Sequence, residues 1–422
     1  MSQPRRERFV GSLRWVTPDG RRLLLARVLR TFAYGYLSVV LGVYLDRLGL
    51  DATRIGVVLT SAIAGSAVMT VAWSLFADRY GRRRTISTMA VLMALGGLLF
   101  AGTDRFAILV LAGFTGTISA TNSEVGVFQT VDQAMLPQTA PDARRTWLFA
   151  VYNALATFGG ALGALFAASV GVFEGLGLTG ADAYRPLFVL YALVGLSNLA
   201  LFAGLTANVE LARIEGERRF LGIHRSRRTV AKLAALFGID AFAGGLVVQS
   251  LVAYWFYVRW GLDPGQLAIL FFAVNVLSGL SLLAAGWLAA RFGLLNTMVF
   301  THLPSNVLLM LVPVMPTAAL AVAIFPCRMS ISQMDVPTRQ SYTMAVVDPD
   351  ERTATAGLTN VARTASTAVS PLVTGVAFAA GSFALPFFLA GALKIAYDGL
   401  VYVTFRGVRP PEEDRALSAK AK

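Results

Sequence analysis

The chain has 422 residues, of which 56% are hydrophobic and only 14% charged, and its mean hydropathy is +0.62. Uncharged runs at 107–123, 146–172 and 186–209 are each long enough to cross a bilayer as a helix. The composition predicts an all-α integral membrane protein and excludes a soluble enzyme, a secreted disulfide scaffold and a disordered chain. The net charge of +13 is attributed to membrane topology, so no nucleic-acid partner is expected.

Hydrophobic runs predict twelve transmembrane helices, and their even number places both termini on one side of the membrane. The predicted spans are 23–45, 54–77, 85–103, 106–136, 146–170, 185–206, 230–257, 264–290, 294–314, 317–346, 353–380 and 383–405. Most of the 37 Lys and Arg residues then fall on the side of the termini. The positive-inside rule therefore predicts cytoplasmic termini.

A charged stretch divides these spans into six and six, which predicts five segments. They are a cytoplasmic N-terminus at 1–22, a six-helix bundle at 23–206, a cytoplasmic linker at 207–229, a second bundle at 230–405 and a cytoplasmic tail at 406–422. The linker is interpreted as a solvated charged connection. The Ala-, Gly- and Arg-rich composition favours a bacterial inner membrane, and a monomer is expected.

Three segments recur in the second half of the chain at offsets of 208–212 residues. YLDRLGLDATRIG is echoed by YVRWGLDPGQLA, SLFADRYGRRRT by GWLAARFGLLNT, and TAPDARRT by VDPDERTA. Ordered matches at one offset predict two pseudo-symmetric six-helix bundles. A binding site at the interface of such repeats is a common transporter plan.

The loop SLFADRYGRRRT resembles the signature between helices 2 and 3 of the major facilitator superfamily. The resemblance covers about residues 20–405 and implies that a cytoplasmic gate is formed by Asp78, Arg79, Gly81, Arg82 and Arg83. The alternative is that these arginines only anchor the topology. The resemblance also implies that helices 1, 4, 7 and 10 line a central cavity.

Two features of the helices bear on packing and on the direction of transport. Helix 5 carries Gly159-x-x-x-Gly163, which favours close helix packing, but lacks the Gly-Pro that resembling proton antiporters carry. A Ser370-Pro371 pair lies in helix 11 instead. The direction of transport is therefore left open.

Four charged residues fall at matched positions on the four expected cavity helices. Arg30 and Asp240 are 210 residues apart, and Glu124 and Asp335 are 211 apart. Charges inside a membrane are costly, so each is a functional hypothesis. We predict Glu124 as the main proton carrier, because a partly desolvated carboxyl group can exchange protons near neutral pH, with Asp240 or Asp335 second. The alternative for Glu124 is a structural ion pair with Arg30.

Further charged side chains yield three predictions. Asp132 and Arg339, 207 residues apart, form an interdomain ion pair that closes the inner gate, or else are independent interfacial charges. Arg363 binds an anionic substrate or neutralises an acid. Lys394 and Asp398, spaced i, i+4, pair on one face of helix 12.

Histidine and cysteine are scarce in this chain, which argues against a metal site. No cofactor is expected. His302 is predicted to be a hydrogen-bonded core residue, and Cys327, the single cysteine, to serve packing. No nucleophile motif of a lipid-acting enzyme and no phosphate-binding loop of an ATP-driven pump occurs. The sequence therefore predicts a protein that is not an enzyme, with no catalytic residues.

The sequence predicts a secondary active transporter that moves a small-molecule substrate by alternating access in the lipid bilayer. The first hypothesis is proton-coupled export of amphipathic or cationic compounds, because buried acids suit cationic cargo. Transport of an organic or inorganic anion by the buried arginines Arg30, Arg339 and Arg363 is the alternative. A non-transporting membrane receptor or a lipid-acting enzyme is the remote alternative.

Overall fold

The computed structural model describes residues 15–121, 126–141, 144–210, 225–348 and 351–407, without the side chains of 74–79, 145–147, 290, 344–345 and 352–354. In these ranges the regular structure is entirely helical. The first half contains α1 (Pro18–Arg47), α2 (Ala52–Tyr80), α3 (Arg82–Gly102), α4 (Phe106–Phe114), α5 (Val127–Met135), α6 (Arg145–Phe166), α7 (Ser169–Gly175) and α8 (Arg185–Ala203). The second half contains α9 (Arg227–Gly245), α10 (Gln249–Trp260), α11 (Pro264–Phe292), α12 (Leu294–Leu311), α13 (Ala318–Ser332), α14 (Asp335–Ala345), α15 (Arg352–Ala379) and α16 (Leu385–Phe405).

Nine helical stretches in the described residues are long and apolar enough to span a membrane. The other three predicted spans correspond to α4 with α5, α13 with α14, and the more polar α15. Large apolar side chains face outward, including Leu283 (79% exposed) and Trp287 (65% exposed). Because a water-soluble surface rarely carries such continuous apolar area, the outer surface is suited to lipid.

The internal repeat is confirmed where α1 and α10 end. Gly49 and Gly261 both adopt positive φ values, of 81° and 66°, which favour glycine. Two residues later, the carboxylates of Asp51 and Asp263 accept hydrogen bonds from the N–H groups of Arg54 and Gln266, 2.9 Å each. The two copies of Gly-Leu-Asp therefore end one helix and cap the next in the same way.

Helix packing in the first half recurs in the second. Helix α1 packs along α6 and α8, and α9 packs along α15 and α16 in the same manner. Helix α3 packs against α8 as α12 packs against α16, and α2 against α4 as α11 against α13. The halves meet where α2 packs along α15, α6 along α11, and α1 along α10. This arrangement is that of two pseudo-symmetric bundles.

The Gly159-x-x-x-Gly163 face is a site of close packing between α6 and α1. A Cβ atom at Gly163 would meet the carbonyl oxygen of Phe32, and one at Gly159 would lie 2.6 Å from Oγ1 of Thr31. Gly35 of α1 faces α6 in return, so both backbones approach closely here. The packing predicted from these small residues is confirmed.

Several spans predicted as continuous helices are broken. The predicted helix 106–136 is interrupted after α4, where the described residues 115–121 are not helical, and Gly116 and Gly126 have φ values of 71° and 140°. The predicted helix 230–257 divides between α9 and α10, 317–346 between α13 and α14, and 146–170 between α6 and α7. A continuous-helix prediction was wrong for these spans. Apolar content shows that a segment spans the membrane, but it does not show whether the helix is continuous.

Candidate transport site

A cavity of about 200 Å³ lies between the two halves. Its walls come from α1, α2, the unwound segment between α4 and α5, and α15. The main polar contributors are Tyr34, Ser66, Thr117, Ser119, Thr121, Asn360, Arg363, Thr364 and Thr367. Among the described lining residues, Arg363 carries the charge, and the rest offer hydroxyl, amide or apolar groups. The site therefore combines many hydrogen-bonding groups with one cation.

The unwound segment 115–121 is held from both halves of the protein. The hydroxyl of Tyr191, on α8, donates to the carbonyl oxygen of Thr117. The N–H and the hydroxyl of Ser250, at the start of α10, donate to the carbonyl oxygen of Ala120 at 3.2 and 2.9 Å. Non-helical backbone at membrane depth is tolerated where protein or a polar cavity satisfies it.

Further contacts join the halves along the C-terminal part of α1. The side-chain amide of Gln249 donates to the hydroxyl of Ser38 at 2.8 Å. The hydroxyl of Tyr254 donates to the carboxylate of Asp46 at 3.2 Å. A Cβ atom at Gly42 would lie 2.7 Å from the carbonyl oxygen of Ser250, so α1 and α10 are in close contact. The bundles are therefore closed against each other at this end.

The first half contains a fully buried ion pair between α1 and α5. Nη2 of Arg30 donates to Oδ2 of Asp132 at 2.5 Å, and neither side chain is exposed. Nη1 of Arg30 donates to Oδ1 of Asn198 at 3.1 Å, and the guanidinium lies 4.5 Å from the ring centre of Phe128. The charge is thus compensated within its own bundle.

The second half contains a larger cluster centred on Asp240 of α9. One carboxylate oxygen accepts from Nζ of Lys394 at 2.6 Å. The other accepts from Nη1 of Arg339 and from Nη1 of Arg363, both at 3.0 Å. Arg339 also donates to Asp335 at 2.8 Å. Arg363 is 30% exposed while Asp240 is 4% exposed, so the cluster reaches the cavity through Arg363.

The two ion pairs are equivalent by the repeat but have opposite polarity. Arg30 on α1 corresponds to Asp240 on α9, and Asp132 on α5 corresponds to Arg339 on α14. The prediction that Asp132 pairs with Arg339 across the halves is wrong for this conformation. Each charge is neutralised inside its own bundle. Arg30 pairs with Asp132 in the first half, and Asp240 pairs with Arg339 in the second.

The other charged predictions have mixed outcomes. Glu124 lies outside the described residues, so its predicted proton-carrying role and the alternative of an ion pair with Arg30 both stay predictions. The Lys394–Asp398 pair is wrong, since Lys394 donates to Asp240 and Asp398 contacts His302 at 2.8 Å.

Two predictions about single residues in the second half are tested by their burial. The prediction that His302 is a hydrogen-bonded core residue is confirmed, since Nδ1 contacts Asp398 and the residue is 2% exposed. Cys327, predicted to serve packing, is exposed instead. Hydrophobicity alone places cysteine inside a helix bundle, but in this span that face of α13 is on the outside.

Only part of the signature loop between α2 and α3 lies within the described residues. The side chains of Asp78 and Arg79 lie outside the described residues. Gly81 has a φ of 101°, and the N–H groups of Arg82 and Arg83 donate to the carboxylate of Glu210 at 2.9 and 3.0 Å. Glu210 thus caps the start of α3. Sequence reasoning assigned it to a solvated linker and missed this role.

Arg82 also joins the loop to α5, because its Nη1 donates to the carbonyl oxygen of Ala134 at 3.0 Å. A second missed residue is Arg328 of α13, which is 8% exposed and donates to the sulfur of Met329 at 3.1 Å. The signal for Arg328 was an arginine inside an otherwise apolar predicted span. In the described residues no cluster of three or more potential metal ligands occurs.

Two similar helix bundles that enclose a polar cavity between them are the architecture of a membrane transporter rather than an enzyme. The sequence matches the Major Facilitator Superfamily over residues 23–371, and the chain belongs to this family. The family expected from the signature loop is confirmed.

Solved structures with the same fold include three transporters. They are the nucleoside transporter NupG (TM-score 0.71, 14% identity, 92% of this chain and 99% of that one), a bacterial homologue of the human lysosomal transporter Spinster (0.69, 15%, 93% and 96%) and a D-xylose–proton symporter (0.71, 14%, 90% and 97%). These identities show a shared fold alone.

A curated relative is the uncharacterized membrane protein YJR124C of Saccharomyces cerevisiae. It is 24% identical to this chain in an alignment 427 positions long. The alignment covers 92% of this chain and 94% of the yeast protein. The similarity thus extends to a eukaryotic membrane protein. The bacterial inner membrane, the cytoplasmic termini and the monomeric state remain predictions.

Proposed function

We propose that this protein is a secondary active transporter that moves a small polar organic solute bearing an anionic group, by alternating access. The observation that carries the proposal is the position of Arg363, the charged residue among the described cavity walls. Arg363 shares its partner Asp240 with Arg339 and Lys394. When Arg363 turns to a solute, Asp240 keeps two cations, so the exchange leaves no buried charge unpaired.

The other cavity walls support a hydrogen-bonding solute. Hydroxyl-bearing residues of the unwound segment and Asn360, Thr364 and Thr367 of α15 line the same cavity. Discontinuous helices commonly form substrate sites at the interface of transporter repeats. A carboxylate or phosphate group would pair with the guanidinium, and the hydroxyls would fix the remainder of the solute.

Proton-coupled export of cationic compounds is the second candidate, and Glu124 favours it. Glu124 lies three residues after Thr121, which lines the cavity. Arg363 weighs against a cation at this position because it would repel one. With cytoplasmic termini, as the charge distribution predicts, the contacts between α1 and α10 would close the outer side.

The experiment is thermal unfolding of the purified protein with matched probes. D-gluconate and inorganic phosphate serve as anions, choline and tetraphenylphosphonium as cations, and D-glucose as the neutral probe. An anion at about 100 times its Kd stabilises the folded state by about 2.7 kcal/mol. We expect stabilisation by an anion that is lost in Arg363→Gln.

Arg54→Gln is the matched control, since Arg54 is 57% exposed at the start of α2, away from the cavity lining. This variant should keep the wild-type response to anions. Stabilisation by the cations alone, or an anion response that persists in Arg363→Gln, would contradict the proposal.

A further inference from the structure

The second half contains a buried histidine–carboxylate pair, His302 and Asp398, that has no role in the proposed transport of the solute. Nδ1 of His302 lies 2.8 Å from Oδ1 of Asp398, and Nδ2 of Asn306 donates to Oδ2 at 3.1 Å. The side chains of His302 and Asp398 are 3% and 0% exposed. Because a carboxylate only accepts, Nδ1 carries a hydrogen and Nε2 is free to take up a further proton.

This pair adjoins the cluster that reaches the cavity. Asp398 lies one helical turn from Lys394 on α16, and Lys394 donates to Asp240 at 2.6 Å. Asp240 in turn contacts Arg363, which lines the cavity. A route of direct contacts and one helical turn therefore connects the histidine with the transport site.

The charges of this cluster are sensitive to a change of charge at the cavity. Its carboxylates are Asp240, Asp335 and Asp398, its cations are Arg339, Arg363 and Lys394, and the buried Arg328 interacts with Asp335 from α13. A solute anion at Arg363 would add one negative charge to this poorly hydrated region. The added negative charge favours a proton on His302, and such interactions are strong at low effective dielectric.

We propose that His302 and Asp398 form a proton-binding site whose occupancy is linked, through Lys394 and Asp240, to the charge that faces Arg363. The inference rests on the proposed function in assigning that charge to the transported anion. Proton and anion then bind together, so the proton gradient contributes to the transport of the solute.

Several elements pack around His302 and bring charged or titratable groups towards it. Helix α16 contributes Tyr397, whose ring centre is 6.2 Å from that of the histidine, besides Asp398 and Lys394. Helix α9 contributes Asp240, and α14 contributes Asp335, Arg339 and Tyr342. The charged side chains of the neighbouring α11 and α13 are Arg291 and Arg328.

The test follows the protonation of His302 directly and requires no substrate. The chain has two histidines, so His224→Gln leaves His302 as the single imidazole for NMR of histidine-labelled protein. We expect the NMR signals of this imidazole to show that Nε2 takes up a proton as the solution is acidified. Arg363→Gln removes a cation, as a bound anion would neutralise one, and should increase the protonated fraction of the imidazole in a given buffer.

Two further variants complete the test. Arg54→Gln should leave the protonated fraction unchanged, and Asp398→Asn should lower it by removing the paired carboxylate. If His224→Gln does not fold, the difference between wild-type spectra and those of His302→Gln isolates the same signal. A His302 that takes up no proton on acidification, or a protonated fraction unaffected by Arg363→Gln, overturns the inference.

The outcomes separate this inference from the proposed function. If His302 titrates and responds to Arg363→Gln while none of the anionic probes stabilises the protein, the proton site stands and the anionic cargo is wrong. If an anion stabilises the protein through Arg363 while His302 stays neutral, the cargo assignment stands and the proton site is wrong.

Discussion

The buried ion pair between Arg30 and Asp132 offers a quantitative test of how the first half is held together. Both side chains are fully buried, and their closest atoms are 2.5 Å apart. Opposite charges about 4 Å apart attract by about 4 kcal/mol at an effective dielectric constant of 20. Asp132→Asn removes this attraction and leaves the Arg30 guanidinium buried without its counterion, which we expect to lower the free energy of unfolding by 3–5 kcal/mol, an order-of-magnitude value for buried pairs.

The repeat supplies a rescue variant. At the equivalent places the second half has Asp240 and Arg339, the same pair with its charges exchanged. The double variant Arg30→Asp with Asp132→Arg should therefore recover at least half of the loss. Full recovery is not expected because the contact between Arg30 and the ring of Phe128 is lost.

The assay is reversible unfolding of detergent-purified protein by chemical denaturant, with Asp51→Asn as the control. Asp51 forms an exposed pair with Arg54, with side chains 59% and 57% exposed, and its loss should cost less than about 1 kcal/mol. The reasoning is refuted if Asp132→Asn costs no more than this control. It is also refuted if the exchanged pair is no more stable than Asp132→Asn.

Two further predictions concern packing and capping. Gly163→Ala places a methyl group against the carbonyl oxygen of Phe32, and should cost about 1–3 kcal/mol in the same unfolding assay, whereas Gly171→Ala, which meets open space, should be neutral. Glu210→Gln weakens the cap of α3 and should speed hydrogen exchange at the start of this helix, whereas Glu174→Gln, at an exposed position, should not. Equal effects of variant and control in either pair would contradict the corresponding prediction.

The membrane class and the repeated plan could be predicted from the sequence because they depend on properties that neighbours in sequence share. Apolar runs of sufficient length have few alternatives to a spanning helix. The two Gly-Leu-Asp copies form matching turns because φ preferences and capping are local. The helix breaks could not be predicted from hydrophobicity, since Gly116 and Gly126 lie in a segment whose polar groups are satisfied by distant residues such as Tyr191 and Ser250.

For the buried charges too, the sequence predicts some properties and not others. The offsets identified Arg30 with Asp240 and Asp132 with Arg339 as equivalent positions, because a repeat preserves depth along each helix. The offsets could not identify which charges face each other, since that depends on the rotation and packing of helices far apart in the chain.

The sequence by itself therefore determined that this protein is a two-bundle membrane protein of the Major Facilitator Superfamily, and it identified Arg30, Asp132 and Asp240 as charges inside predicted spans. Only the tertiary structure decided that Asp240 pairs with three cationic side chains, one of which, Arg363, lines the cavity. It also decided that His302 pairs with Asp398. The physical reason is that hydropathy and local turns act within a few residues. Ion pairing acts over a few ångströms between segments about a hundred residues apart.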